Sequence, residues 1–196
     1  MIVSEAHRNR RKVAVHAHGA QAILWATQAG ADSIEHGSFI NDEDIAAMKQ
    51  HATYLVPTLY TGDFLLENMQ ALHLPPFLVA KAQEVLPAAK KNISHAFQSG
   101  VKVAFGTDAG VYPHGLNAHE FNSMVQAGLS PLAAIQSASI KAADLIGWQD
   151  MVGTIEPGKW ADIVAVDSDP LRDVTTLENV KFVMKGGQVF RNEYGK

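Results

Sequence analysis

The chain has 196 residues, 47% of them apolar and 18% charged, with no cysteine and a formal net charge of −4. That is enough apolar material for a real core, it leaves no basic footprint for nucleic acid, and it excludes disulfides and thiolate metal ligands. No uninterrupted apolar run approaches the roughly 20 residues of a membrane span, and Met1 to Arg11, with Glu5, Arg8, Arg10 and Arg11, lacks the apolar region of an export signal, so a cytoplasmic protein is expected.

In chain order, Met1 to Asn9 reads as the end of a helix and Lys12 to Ala17 as a first, apolar strand. Ala20 to Gly30 is Ala-rich and helical, closed by a glycine suited to a C-cap, and Asp32 to Glu35 is a second strand running into His36 and Gly37. Asn41 is an N-cap candidate with Asp42, Glu43 and Asp44 in the first turn, where acids suit the helix dipole, and that helix should reach about His51. A third strand, Thr53 to Thr58, ends near Tyr60, and its proline predicts an irregular end. From Thr61 an irregular loop is expected, then a helix from about Pro76 to Gln98. Lys102 to Asp108 reads as a fourth strand, followed by a loop through His114 to Asn117 and a short helix ending near Gly128. Ser130 and Pro131 open a last helix that runs through Ile146, which completes four βα units over residues 1–147.

From residue 148 the rhythm changes to strands and turns. Gly153 to Lys159 reads as a turn before a strand at Ala161 to Val166, and Val180 to Met184 with Gln188 to Arg191 flank Gly186-Gly187 as a hairpin. Residues 148–196 are therefore expected to form a β segment without a core of its own. Internal repeats, low-complexity tracts and flexible linkers are absent from the sequence.

Three strand ends share one design: Val15-His16-Ala17-His18-Gly19, Ile34-Glu35-His36-Gly37 and Phe105-Gly106-Thr107-Asp108-Ala109-Gly110. Right-handed crossovers make such strands parallel and bring their C-terminal ends to one face, where an α/β barrel keeps its chemistry. His16, His36 and Asp108 are thus predicted to converge. Two imidazoles and a carboxylate suit zinc, and manganese, iron or cobalt also accept such ligands. A lone strand-end histidine is more often a hydrogen-bonded structural group, but acid or imidazole groups at three strand ends argue for a site. His18 shares the face of His16 and is a ligand, a group supporting one, or a substrate contact. Tyr60 beyond the third strand and His114 in the loop after Asp108 are candidate substrate contacts, His119 a weaker one. His7, His51, His73 and His95 read as structural or exposed, and Glu35 should point away from His36, toward a partner outside the barrel interior.

The set Val-His-Ala-His-Gly, Ile-Glu-His-Gly and Phe-Gly-Thr-Asp-Ala-Gly, followed by Gly153-x-Ile155-x-x-Gly158-Lys159-x-Ala161-Asp162, resembles the amidohydrolase superfamily of metal-dependent hydrolases. The likeness is strongest to the branch of imidazolonepropionase-like proteins and Xaa-Pro dipeptidases, and it covers essentially the whole chain. The resemblance implies that His16 and His36 are the metal-binding histidines of the fifth and sixth barrel strands. It implies that Asp108 is the aspartate of the eighth, touching the metal and taking a proton from the attacking water. Family members also carry a His-x-His pair on the first strand and, where binuclear, a carboxylated lysine on the fourth; both precede anything present in this sequence.

The expected fold is therefore α/β: strands five to eight of a TIM-like (β/α)8 barrel, with the C-terminal part of a composite β-sandwich, from an enzyme roughly twice this size. A half-barrel leaves two exposed sheet edges, so a homo-oligomer or a complementing N-terminal half is expected. The implied activity is hydrolysis of an amide or peptide-like C–N bond with a divalent metal, zinc first, acting on a dipeptide with C-terminal proline or another apolar residue, or on a cyclic amide. The competing expectation is a catalytically silent half-barrel that self-associates. A doubly wound nucleotide-binding domain fits the α/β rhythm but lacks a glycine-rich phosphate loop after the first strand.

Overall fold

The computed structural model describes residues 1–195 and gathers the apolar runs into one parallel sheet. Its order is β1 (Ala14–Ala17), β2 (Ser33–His36), β3 (Tyr54–Val56) and β4 (Lys102–Val103). Helices lie between and after the strands: α1 (Ile2–Arg8), α2 (Ala20–Gln28), α3 (Asp42–His51), α4 (Leu59–Asn68), α5 (Pro76–Gln98), α6 (His119–Gln126), α7 (Pro131–Ala138) and α8 (Ile140–Ile146). A separate antiparallel sheet holds β5 (Ile163–Ala165), β6 (Phe182–Lys185) and β7 (Gln188–Asn192). Within residues 148–195 only Val174 is buried, so that sheet contributes little core. Among the described residues, no helix is long and apolar enough to cross a membrane.

Strand alternation decides which side chains meet the helices. The register sets Val15 beside Ile34, Ile34 beside Leu55, and Leu55 beside Val103. This row packs with Ile23 of α2, Ile45 and Met48 of α3, Ile93 of α5 and Met124 of α6 as the main core. The alternate row, Ala14, His16, Ser33, Glu35, Tyr54 and Val56, lies on the opposite face, where Ala14 and His16 are exposed. Near the start of β3, the Tyr54 hydroxyl donates to Asp144 of α8, and Leu145 packs on Tyr54, Val56 and Ala104.

Asn41 caps α3 as its sequence suggests. Its side chain accepts from the Asp44 N–H at 3.0 Å while the Asp44 carboxylate accepts from the Asn41 N–H at 3.0 Å, a reciprocal capping box. Asn41→Ala is expected to cost about 1 kcal/mol in chemical denaturation, with an unchanged denaturant slope.

Several expectations are corrected. The segment after Tyr60 is helix α4, not an irregular loop, and Tyr60 sits in its first turn; no local residue caps it, because its carboxylate cap comes from Glu120. Regular pairing of β4 stops at Val103. The Ala104 N–H still reaches Leu55, but the Phe105 N–H turns to the Ser137 carbonyl, and Asp108 sits in a loop with φ of 51°. The helix expected from Ser130 to Ile146 breaks at Ser139 (φ −122°, ψ −94°), beside Ser137 and Ser139 hydroxyls that donate back to the Ala134 and Ile135 carbonyls. Glu35 shares the open face of the sheet with His16 and accepts from the Ser33 hydroxyl at 2.6 Å, so its partner is not outside that face.

Candidate metal centre

His16 stands within β1, His18 just beyond it, and His36 ends β2. One ring nitrogen from each lies within 4.8 Å of the others, the only such His, Cys, Asp or Glu group of three or more among the described residues. His16 meets the edges of both other rings, with centroids 4.8 Å from His18 and 4.5 Å from His36, while His18 and His36 stack at 4.8 Å. By alternation His36 would follow Ile34 toward the helices. Its left-handed backbone (φ 73°) and that of Gly37 (φ 63°) end the strand in a turn that carries the ring to the other two. Glycine is required at 37, where a Cβ would stand 2.6 Å from Leu55 Cδ1.

Two hydroxyls orient these rings. Thr58 Oγ1 lies 2.7 Å from His36 Nδ1, and Ser38 Oγ lies 2.8 Å from His18 Nδ1. With Nδ1 engaged in each ring, Nε2 is the nitrogen left for a metal. Burial first, then neighbouring histidine charge, lowers the pKa of both His18 and His36, with Asp108 opposing the shift at His36. Neutral imidazole is the ligating form.

A tetrahedral zinc site with Zn–N near 2.0–2.1 Å spaces its nitrogens at roughly 3.4 Å. The three imidazoles, each with a ring nitrogen within 4.8 Å of the others, are a donor set that could hold such an ion. Asp108 is exposed and lies outside the three-histidine group, yet near enough that its charge raises the pKa of His36, of Glu35 and of Tyr112. Burial is the larger cause of the upward shifts at Glu35 and Tyr112.

A cavity of about 310 Å³ opens beside His18 and His36 and is walled by Leu59, Leu66, Leu86, Pro87 and Ile93. Lys90 and Asp63, paired at 2.9 Å, are both in its lining. Tyr60 is buried, stacked on His119 at 4.8 Å and edge-on to Tyr112 at 4.7 Å. His114 is exposed in the loop after Asp108. His7 and His95 pair with Asp32 and Asp42 in exposed settings. Sequence reading missed Thr58 and Ser38; their one signal is position, each just past a strand end.

A parallel α/β sheet that gathers three imidazoles at neighbouring strand ends is an arrangement that could hold a metal ion. Residues 1–190 match the amidohydrolase family, and the chain belongs to it. It is 34% identical to ochratoxinase of Aspergillus niger over 97% of this chain and 40% of that protein. Among solved structures, a Xaa-Pro dipeptidase with methionine bound in its active site superposes with a TM-score of 0.91 at 43% identity, over 97% of this chain and 47% of that one. A prolidase complexed with N-methylphosphonate-L-proline superposes at 0.87 with 30% identity, over 98% and 48%. The chain thus spans between two-fifths and half the length of these relatives.

Proposed function

We propose that this chain carries the catalytic strand ends of a metal-dependent hydrolase that cleaves an amide or peptide-like C–N bond. The observation that carries this reading is the convergence of His16, His18 and His36. His16 and His36 are assigned as ligands of a divalent metal, zinc first, with Asp108 as the acid group beside them. His18, which also lines the cavity, completes the imidazole group and faces substrate. When bound, the metal would polarise the scissile carbonyl and acidify the attacking water. Asp108 accepts the proton released by that water and returns it to the departing nitrogen. The dipeptidase and prolidase relatives support a dipeptide with a C-terminal proline or another apolar residue, or a cyclic amide, and the apolar walls of the cavity suit such a group.

The open face of the sheet favours a companion reading. Exposed Ala14 and His16, and edge strands β1 and β4, suit cover by a complementing N-terminal half or a second copy of the chain. Elemental analysis after light-scattering sizing tests both readings. About one zinc per chain is expected, retained in His114→Ala and lost in His16→Ala, with Asp108→Asn abolishing dipeptide hydrolysis in any preparation that shows it. A well-folded wild type free of metal after zinc loading would refute the assignment.

A further inference from the structure

The hydrolytic reading leaves one buried carboxylate without a task. Glu120 in α6 is 0% exposed, and its two oxygens accept the backbone N–H groups of Leu59 at 2.9 Å and Tyr60 at 2.7 Å. These are the first amides of α4, the groups a helix leaves without an internal partner. Burial pushes the Glu120 carboxyl up to about 8, opposed by those two N–H donors and by Lys90. A group this unfavourable to bury calls for a reason.

The reason lies at Thr58. It occupies the N-cap position of α4, where a threonine hydroxyl ordinarily accepts from the helix's first amides. Here it makes no such bond; its hydroxyl is 2.7 Å from His36 Nδ1, and its backbone is left-handed (φ 48°, ψ 45°), unusual for a β-branched residue. One side chain cannot serve both tasks. Glu120, arriving from α6, takes over the cap.

We propose that Glu120 is a positioning residue for His36: by capping α4 from another helix, it frees the Thr58 hydroxyl to fix the His36 ring. The proposal rests on the reading of His36 as a metal ligand. Holding Nδ1–H against Thr58 Oγ1 leaves Nε2 unprotonated and aimed, as a ligand must be. A second tie one turn along, Ser123 Oγ to Asp63 Oδ2 at 2.6 Å, keeps α6 docked on α4 when Glu120 is altered.

Glu120→Gln keeps the shape of the side chain but sets an amide NH2 against one of the two donors. In that variant the Thr58 hydroxyl is expected to turn to the α4 amides, and His36 to lose its partner. Imidazole 15N spectra of the metal-free full chain should show the His36 Nδ1–H form in the wild type and mixed tautomers in Glu120→Gln, with His16 unchanged. Zinc affinity, read by chelator competition, should fall about 10- to 100-fold. Thr58→Ala should do the same, and the double variant should lose no more than the worse single variant, because both act on one bond. A folded Glu120→Gln with the wild-type His36 spectrum, or strictly additive losses, overturns the proposal. Should Glu120→Gln not fold, Thr58→Ala decides, an unaltered His36 ring counting against it. A wild type that takes up no zinc refutes the metal reading alone, since the metal-free spectra still judge Glu120.

Discussion

Replacing His36 with alanine is expected to weaken zinc binding by more than about 100-fold, the upper end of what losing a supporting group of a metal ligand costs. His36 is the point where the three-imidazole group is assembled: its ring is 4.5 Å from that of His16 and 4.8 Å from that of His18. Removing it leaves His16 as the one assigned imidazole ligand, with Asp108 beside it, too few protein groups to hold the ion well. The substitution should leave the fold intact, because the ring is only half-buried and the core row at this end of β2 is carried by Ile34. His114→Ala, on an exposed loop, should bind as the wild type does. Chelator competition beside circular dichroism separates loss of ligand from loss of fold. Equal zinc affinity in His36→Ala and wild type would remove the centre from these strand ends.

The strand-end histidines were legible because the signal is local. An apolar run, a histidine and a glycine predict a strand that stops and turns, and the left-handed backbone at His36 and Gly37 is that stop. The parallel order of the sheet followed from the helical stretches between the runs. What stayed hidden depends on contacts between distant residues. Helix α4 carries a threonine at its N-cap position, but the Thr58 hydroxyl is turned to His36 and the cap comes from Glu120, 61 residues from Leu59. The break at Ser139 reflects serine hydroxyls returning to the helix backbone, a use that Ser137 and Ser139 do not announce. Asp108 was read from its apolar run as the end of a strand, but the chain leaves regular pairing at Val103, and Phe105 finds Ser137 instead of a strand neighbour. Thr58 acquires its task only once β2 and β3 lie side by side, and Ser38 only once β1 and β2 do.

Leu55→Ala is expected to cost about 2–5 kcal/mol, a large share of the 5–15 kcal/mol that typically holds a domain together. Leu55 is 0% exposed in the short strand β3, between Ile34 of β2 and Val103 of β4. It packs in the cluster that joins the sheet to α2, α3, α5 and α6, so its truncation opens a cavity that rigid strands on both sides cannot collapse. Its Cδ1 methyl also fills the space left by the missing side chain of Gly37. The loss should therefore reach the turn that presents His36, lowering zinc affinity as well as stability. Phe190→Ala, by contrast, removes a larger ring from β7 that is 65% exposed, and should shift stability by less than about 0.5 kcal/mol. Urea unfolding of both variants with a common slope measures the difference. Similar costs for the two would mean that the cluster around Leu55 is not the core that carries the strand ends, and the stability of the metal centre would then have to come from the open face of the sheet.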